Sequence, residues 1–355
     1  MLDDLQERVR DAAGRGAALR IRGGGSKDFY GNAPRGETLD TRGHAGIVAY
    51  EPSELVLTAR CGTALQDVEK ILAEKKQMLA FEPPHFGGAA TLGGCVAAGL
   101  SGPRRASAGA VRDAILGAKI IDGRGQLLAF GGQVMKNVAG YDVSRLLAGS
   151  LGTLGLIVEV SLKLLPRPPE ELTRTFEMPQ AKALETLRRW AGQPLPISAS
   201  AWHDGELSVR LSGAASAVRS AAQTLGGESV PAAEASGFWT GIREQTDAFF
   251  KGETPLWRLS LPSQAPEVDL SGAQLLEWGG ALRWLRTGGN AGADAEAVRA
   301  AATRAGGHAT LFRAAEKPGG AFTPLPPLLA RLHRDLKRTF DPAGIFNPGR
   351  MYAEF

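Results

Sequence analysis

Glycines in four short clusters are the residues of this sequence whose spacing points most directly to chemistry. The clusters are RGGGSK at 22–27, TLGG at 91–94, GLSGPRR at 99–105 and GSLGTLG at 149–155. Because glycine permits positive φ and close backbone approach, successive amide N–H groups in such a cluster can converge on an anion. A compact substrate would not need four clusters, so the pattern favours an extended ligand with a pyrophosphate near its middle.

The first cluster follows the apolar run ALRIR and is compatible with three kinds of loop. Neither the triphosphate loop GxxxxGK[ST] nor the dinucleotide fingerprint GxGxxG has a match. The residues after Gly25 are turn-like, whereas a dinucleotide loop continues into a helix whose N-terminus faces the phosphates. A glycine-rich turn without a ligand stays open for this cluster taken alone.

Histidines and cysteines show none of the spacings of a metal or redox site. The five histidines stand apart without an HxH or HExxH pair, and the two cysteines form no CxxC motif. The net charge is +4, and the basic residues are scattered along the chain. Therefore no metal centre, no disulfide framework and no nucleic-acid partner is predicted.

Helices and strands alternate around these clusters. The first sixteen residues carry apolar side chains at helical spacing, and Gly14 and Gly16 mark the end of that pattern. An amphipathic helix is therefore expected here, and not a signal peptide. ALRIR, GIVAYEP and LVLTARCG predict strands, and TALQDVEKILAEKK predicts a helix that opens with a capping box of Thr63 and Gln66. RDAILGAKIIDGRGQLLAF predicts a hairpin.

The segment PRPPEE at 166–171 is the strongest predicted linker. Beyond it, two strand–helix–strand halves predict an antiparallel sheet with helices on one face, followed by a helix and a tail rich in proline and glycine. Glycines and charges interrupt the most apolar stretch, 146–165, so no membrane span is predicted and a cytoplasmic chain is expected.

Four motifs occur in a specific order along the chain: IRGGGSK, TLGGCVAAGLSGPRRASAGAVRDAILGAKIIDGRG, KNVAGYDVSRLLAGSLGTLGLIVEVSLKLLP and LKRTFDPAGIFNPGRM. Together they resemble the FAD-binding family of vanillyl-alcohol oxidase and its relatives. Within that family, GPRRASAGAVRD, KNVAGYDVSRL and EWGGALRW are most similar to the FAD-binding E subunits of bacterial glycolate oxidase (glycolate dehydrogenase). The resemblance covers residues 1–165 and 335–355 and, less closely, the region between them.

The resemblance implies an α+β fold with a PCMH-type FAD-binding domain of two α+β subdomains, and a cap over the isoalloxazine ring. The FAD-binding domain is expected at residues 1–168, with subdomains at about 1–84 and 85–168. The cap, with an antiparallel sheet and helices on one face, is expected at 169–334. Residues 335–355 are expected to return to the FAD domain.

The resemblance also assigns residues to the cofactor, mostly through their backbone. Those expected to wrap the pyrophosphate are Arg22, Gly23, Gly24, Gly25, Ser26 and Lys27. The residues expected to line the second half of the cofactor channel are Thr91, Leu92, Gly93 and Gly94. The residues expected near the flavin or the ribityl chain are Gly102, Arg104, Arg105, Val111, Arg112 and Asp113. Those expected on the adenine side are Gly152, Thr153, Gly155 and Ile157, with Asn347 and Arg350 returning from the C-terminus.

Other roles stay open for some of these residues and their neighbours. Arg104 and Arg105 are equally compatible with a solvated loop. Residues 136–137 are candidates for a flavin or partner contact. Tyr141 and Asp142 are candidates either for flavin contacts or for helix capping and core packing.

The chain departs from the family pattern in two places. Where some relatives attach the flavin covalently, this loop continues as Ser26 and Lys27, and Cys95 lies within GGCVAAG, so noncovalent FAD is expected. The histidine run HGHxGDGNxH of hydroxy-acid-oxidising relatives is absent, and no catalytic base is assigned. Arg258 and Arg283 in the cap are candidate clamps for a substrate carboxylate, with a surface position as the alternative.

These features predict a noncovalent FAD subunit of a complex that oxidises glycolate to glyoxylate. The resemblance implies two partners, a larger FAD-containing subunit with the hydroxy-acid site and an iron–sulfur subunit. This chain is expected to hold FAD and relay electrons in the cytoplasm, and to meet the inner membrane only through the complex. The alternatives are a self-sufficient FAD-dependent 2-hydroxy-acid dehydrogenase and a non-catalytic assembly subunit.

Overall fold

The computed structural model of the protein describes residues 1–132, 142–289 and 291–355, without the side chain of residue 293. Residues 136–137 and Tyr141, which the sequence offers as flavin or partner contacts, lie outside the described residues. No helix in the described part of the chain is long and apolar enough to cross a membrane.

The contacts divide the chain into two units. Unit 1 comprises Met1–Leu100, Ala110–Pro166 and Pro324–Phe355, and unit 2 comprises Ser101–Gly109 and Arg167–Thr323. Unit 2 thus includes a short segment that the sequence places in the FAD domain. The domain bounds expected from the sequence stay a prediction.

Ten α-helices form in the described residues: α1 (Leu2–Arg15), α2 (Leu65–Glu74), α3 (Leu92–Ala98), α4 (Arg105–Ala108), α5 (Val111–Ala114), α6 (Gln180–Ala191), α7 (Ala215–Leu225), α8 (Ala232–Glu244), α9 (Ala291–Arg304) and α10 (Pro327–Phe340). Short 3-10 helices lie at Ser144–Leu147, Ala248–Phe250 and Trp278–Gly280. The strands of unit 1 are β1 (Leu19–Arg22), β2 (Glu37–Asp40), β3 (Ile47–Glu51), β4 (Val56–Arg60), β5 (Gln77–Met78), β6 (Ile115–Ile121), β7 (Leu127–Gly131), β8 (Leu156–Lys163) and β9 (Leu165–Pro166). The strands of unit 2 are β10 (Glu170–Glu177), β11 (Ile197–His203), β12 (Glu206–Gly213), β13 (Glu228–Val230), β14 (Leu256–Ser260), β15 (Ala273–Glu277), β16 (Leu282–Arg286) and β17 (His308–Arg313).

Unit 1 contains a five-stranded antiparallel sheet of order β3-β4-β8-β6-β7. β1 and β2 form a separate parallel pair, and β5 and β9 a short antiparallel one. The predicted hairpin is confirmed as β6 and β7, which pair from Gly117 with Gly131 to Ile121 with Leu127. α2 and α3 bury their apolar faces in the core of this sheet, which places the start of α3 beside the glycine loop that follows β1.

The predicted capping box at the start of α2 is wrong. α2 begins at Leu65, and its N-cap is Ala64, whose side chain has no acceptor. The hydroxyl of Thr63 instead donates to the carbonyl of Arg60 at 2.8 Å and accepts from the amide of Gly46 at 2.9 Å. A tertiary contact 17 residues away therefore takes the hydroxyl that the local pattern assigns to the helix.

A buried ion pair holds the C-terminal segment in unit 1. Lys337 Nζ on α10 lies 2.6 Å from Asp341 Oδ2 and also donates to the carbonyls of Thr153 and Phe346, at 2.9 and 2.7 Å. The carboxylate of Asp341 accepts from the amides of Ile345 and Phe346. Burial lowers the pKa of Lys337, and the carboxylate of Asp341 opposes that shift. Since both charges are fully hydrogen-bonded, removing one partner would leave the other charge buried and unpaired.

Unit 2 is an eight-stranded antiparallel sheet of order β13-β10-β12-β11-β15-β16-β14-β17. Trp202 on β11 packs with α6, whereas Ala199 and Ala201 on the same strand pack against Trp239 of α8. Because neighbouring strand residues point to opposite faces, α6 and α8 cover opposite faces of the sheet. The α+β class and the antiparallel sheet are confirmed, and α8 adds a second helical face that the sequence did not predict.

Candidate functional site

An open cleft of about 600 Å³ lies in unit 1, where β1 runs into the glycine loop. Its walls come from the end of β1, residues 23–28, α3 and the C-terminal segment. The predicted site residues that line it are Arg22, Gly23, Gly24, Gly25, Ser26, Lys27, Thr91, Gly94, Asn347 and Arg350. Segments far apart in the sequence therefore meet at one site.

Close packing inside unit 1 favours glycine at positions 23 and 24, and a positive φ favours it at position 25. A Cβ on Gly24 would lie 1.4 Å from the carbonyl oxygen of Ala89, and one on Gly23 would lie 2.2 Å from Oγ1 of Thr91. Gly25 has φ +74°, and a Cβ there would lie 2.2 Å from the guanidinium of Arg22. The amides of these glycines donate to no acceptor in the described part of the chain, so they are available to a ligand.

The cleft carries more positive than negative charge. Oδ2 of Asp28 accepts from Arg20 at 2.5 Å and from Arg22 at 3.0 Å, so one carboxylate serves two guanidinium groups. Lys27 and Arg350 also line the cleft. Four cations around one anion favour a ligand with more than one negative charge, such as a pyrophosphate.

Arg350 shapes the glycine loop through its guanidinium. It donates to the carbonyls of Asn32, Asp28 and Lys27, with the Asp28 and Lys27 contacts at 2.9 and 3.3 Å. Burial lowers the pKa of Arg350 to about 10, a value at which the group is still charged at neutral pH. Its predicted role at the cofactor is therefore combined with a structural one.

Asn347 joins two walls of the cleft. Its Oδ1 accepts from the amide of Ile21 at 2.9 Å, and its Nδ2 donates to the carbonyl of Leu151 at 2.6 Å. Asn347 has φ 41°, a left-handed conformation that asparagine tolerates better than most residues. A Cβ on Gly152 would lie 2.8 Å from Nδ2, so a glycine is needed for this contact.

The remaining predicted residues of unit 1 do not line the cleft: Leu92, Gly93, Val111, Arg112, Asp113, Gly152, Thr153, Gly155 and Ile157. Leu92, Val111 and Ile157 are buried in the hydrophobic core. Asp113 accepts from the amide of Ala110 at 2.9 Å and so stabilises the first turn of α5. These residues support the walls through packing and hydrogen bonds, and a flavin contact for any of them stays a prediction.

Arg20 and Asp28, which were not among the predicted site residues, also line the cleft. The signal for Arg20 was present, because Arg20 and Arg22 alternate along a strand and so lie on one face. Asp28 carried no signal of its own, since its role depends on both arginines reaching it across the turn.

The predicted residues Gly102, Arg104 and Arg105 belong to unit 2. Arg104 is buried and pairs with Glu171, which also accepts from the hydroxyl of Ser212 at 2.5 Å. Burial by itself raises the pKa of Glu171, but the hydrogen bond from Ser212 and the nearby guanidinium groups bring it below the ordinary value. Arg104 is therefore a buried arginine paired with a partly exposed carboxylate, and not a solvated loop residue.

Arg258 and Arg283, the candidate carboxylate clamps, lie on opposite faces of the unit 2 sheet. Arg258 is opposite Trp284, the neighbour of Arg283 along β16. Arg283 is 1% exposed and donates to the carbonyls of Ala265 and Pro266, both at 2.6 Å. Burial lowers the pKa of Arg283 to about 10. These hydrogen bonds to backbone carbonyls occupy its guanidinium. Arg283 is therefore a buried residue, and the alternative of a surface position is wrong.

Arg258 is in a different environment. Its guanidinium lies 5.3 Å from the ring centre of Trp278, and Arg105 lies over the same ring at 4.4 Å. Trp278 Nε1 donates to the carbonyl of Gly102 at 3.0 Å, which fixes the ring in unit 2. The guanidinium of Arg258 makes no hydrogen bond or ion pair with the described residues. Of the two clamps, Arg258 keeps its donors available.

Comparison with known proteins identifies the family. Residues 2–131 match the family described as an FAD binding domain. The chain is 50% identical over 350 residues to the glycolate oxidase subunit GlcE of Escherichia coli (strain K12), an alignment that covers 99% of this chain and 97% of that one. The chain belongs to the GlcE family. It binds FAD and is an FAD-dependent oxidoreductase.

The GlcE-family chain is also similar to part of another glycolate oxidase subunit and shares its fold with two solved structures. The glycolate oxidase subunit GlcD of Bacillus subtilis (strain 168) is 34% identical over 124 residues, which cover 35% of this chain and 26% of that one. Xylooligosaccharide oxidase from Myceliophthora thermophila C1 has the same fold, with a TM-score of 0.65 at 17% identity, covering 100% of this chain and 90% of that one. An alkyldihydroxyacetonephosphate synthase also shares the fold, with a TM-score of 0.67 at 15% identity and coverage of 98% and 74%.

The glycine loop offers a direct test of the cleft. Gly24→Ala places a Cβ against the carbonyl of Ala89, so the loop must move, and we expect a loss of about 1–3 kcal/mol of stability together with most of the bound FAD. The measurement is flavin absorbance per purified chain. Gly88→Ala is the control, because the nearest atom to its Cβ is 4.0 Å away. Full flavin content in the Gly24 variant would show that the loop does not form the FAD site.

Proposed function

We propose that the chain is the FAD-holding subunit of a glycolate oxidase complex, which oxidises glycolate to glyoxylate. The observation that carries the proposal is 50% identity to GlcE of Escherichia coli across nearly the whole length of both chains. A second glycolate oxidase subunit, GlcD of Bacillus subtilis, is related to part of this chain. This chain contributes a bound flavin and electron relay to the complex.

The cleft of unit 1 is the proposed binding site for the pyrophosphate part of FAD. The amides of Gly23, Gly24 and Gly25 and the cationic groups of Arg22 and Lys27 are the donors that would hold its phosphates. Bound FAD supplies the capacity to accept the two electrons of a hydride. The residues of the cleft would bind and orient the cofactor and would do no chemistry themselves.

The cofactor is proposed to be noncovalent. The thiols of Cys61 and Cys95 are buried, and burial raises the pKa of both to about 12, so neither is a thiolate at neutral pH. His85, whose carbonyl accepts from Lys27 of the glycine loop, lies 3.1 Å from Glu69 through Nε2.

Acid denaturation tests the mode of attachment. All flavin should remain in the supernatant after the denatured chain is removed, because no described nucleophile is positioned for a covalent link. Flavin that stays with the precipitated chain, and is found on one peptide by mass spectrometry, would contradict noncovalent binding.

Substrate oxidation is proposed to require the partners. Removal of a hydride from a hydroxy acid needs a base for the hydroxyl proton and a group that orients the carboxylate. No group of histidine, cysteine or carboxylate side chains that could hold a metal ion is found in the described residues, and Arg283 is committed to backbone carbonyls. Arg258 could orient an anion and lies near His308 of β17, whose pKa is lowered by burial and by Arg258, but no residue is assigned as the base.

The proposed partners are a larger FAD-containing subunit, which carries the hydroxy-acid site, and an iron–sulfur subunit. Two observations support a complex of several subunits. The relative that is 50% identical is named as a subunit of glycolate oxidase, and part of this chain is similar to a second subunit, GlcD. Through these partners the chain would work on the cytoplasmic side, at the periphery of the inner membrane.

Anaerobic mixing with glycolate tests this division of labour. The purified chain should show a flavin absorption band that glycolate leaves unchanged, and the band should bleach when the two partner subunits are added. The partner subunits without this chain are the control for their own flavin. Bleaching of the isolated chain would place a complete substrate site within it, and a chain that stays colourless after incubation with FAD would refute the flavin-holding role.

A further inference from the structure

The first two turns of α10 present leucines to solvent. Leu328, Leu329 and Leu332 are 69%, 45% and 49% exposed. The other large apolar side chains that are exposed among the described residues are isolated from one another in the sequence. Scattered leucines need no explanation, but three within five residues form a contiguous patch of the kind that marks an interaction site.

The patch is not a consequence of how α10 packs in unit 1. The helix is held by its other side, where Ala330 and Lys337 are buried. Leu328 and Leu332 are four residues apart and so form one ridge on the solvent side. Polar residues would serve the fold equally well at these positions, because the leucines gain little burial from unit 1.

The apolar surface continues from the helix to the C-terminus. Leu329 lies one turn before His333, whose ring is 5.8 Å from that of Phe355 and 6.2 Å from that of Tyr352. Burial lowers the pKa of His333, so the ring is neutral at physiological pH. Leu329, His333 and the rings of Tyr352 and Phe355 therefore form one uncharged band.

Positive charge borders this band. Arg331 lies 3.7 Å from Asp335, whereas Arg334 and Arg338 have no carboxylate partner among the described residues. Unpaired arginines around an apolar centre match the composition of protein interfaces, in which arginine is enriched and the centre excludes charge. The complementary surface is apolar at its centre and acidic at its rim.

We propose that the α10 face, formed by Leu328, Leu329, Leu332, His333 and Phe355, is the surface through which this chain docks onto a partner subunit of the oxidase. The partner surface it fits is an apolar patch bordered by aspartate or glutamate. This inference rests on the proposed function, because it takes the chain to be one subunit of a complex.

A protein partner fits this face better than a membrane surface does. A helix that lies in the membrane interface buries its whole apolar face at the boundary between headgroups and acyl chains. Here the apolar patch occupies only the first two turns of α10, and the opposite side of the helix is packed into unit 1. Arg331 lies in the same turns as the leucines and Asp335 in the next turn, which suits a bordered protein contact.

Co-purification of the defined complex tests the proposal. Leu328→Glu/Leu332→Glu should weaken binding to the cognate GlcD-type and iron–sulfur subunits by at least about tenfold, because charge enters the centre of the interface. FAD content and thermal stability of the isolated chain should stay the same, since both leucines are exposed. Leu127→Glu, at a leucine 41% exposed on β7, is the matched control.

Each outcome has a definite meaning. Retention of the partners by the double variant would overturn the docking surface while leaving the proposed complex intact. Failure of the unchanged chain to bind the partner subunits would refute the complex itself, and the inference with it. If the double variant does not fold, Leu332→Ser replaces it, with the same direction of change expected. Loss of binding to anionic phospholipid vesicles with unchanged binding to the partners would also overturn the proposal.

Discussion

The ion pair between Lys337 and Asp341 is the contact on which the FAD cleft depends. It lies at the point where α10 ends and the chain returns to β1. Lys337 holds the carbonyl of Thr153 on one side and that of Phe346 on the other. With this pair in place, Leu19 exchanges backbone hydrogen bonds with residues 345 and 347, so the C-terminal segment extends the β1 pair.

The cleft follows from that arrangement. Once the C-terminal segment lies along β1, Asn347 reaches both β1 and the 149–155 loop, and Arg350 reaches the carbonyls of the glycine loop. The glycine amides are then left facing the cleft without an acceptor in the described part of the chain. Residues more than 300 positions apart thus cooperate to hold one anionic group. In the docking proposal, the same helix carries the partner surface at its start and Lys337 near its end.

The sequence predicted those elements whose structure depends on contacts between neighbouring residues. The β6–β7 hairpin was predictable because its strands and its Gly-Arg-Gly turn are contiguous, and the glycine loop because its neighbours also carry glycine clusters. α3 was not predicted as a helix, since Gly93 and Gly94 disfavour one, and only the tertiary contact of Gly93 with Cys61 explains the first of these glycines. The burial of Arg283 was equally hidden, because its acceptors are carbonyls 17 and 18 residues away.

The most direct test of this account is the FAD affinity of Lys337→Met. Loss of the ammonium group leaves Asp341 buried without its partner, which costs about 3–5 kcal/mol in comparable pairs. We predict that FAD dissociates at least about tenfold more readily and is released at lower temperature. Tryptophan fluorescence should change little, because all six tryptophans belong to unit 2. Arg338→Met, an exposed change on the same helix, is the control. Unchanged FAD affinity and release temperature in Lys337→Met would contradict the account.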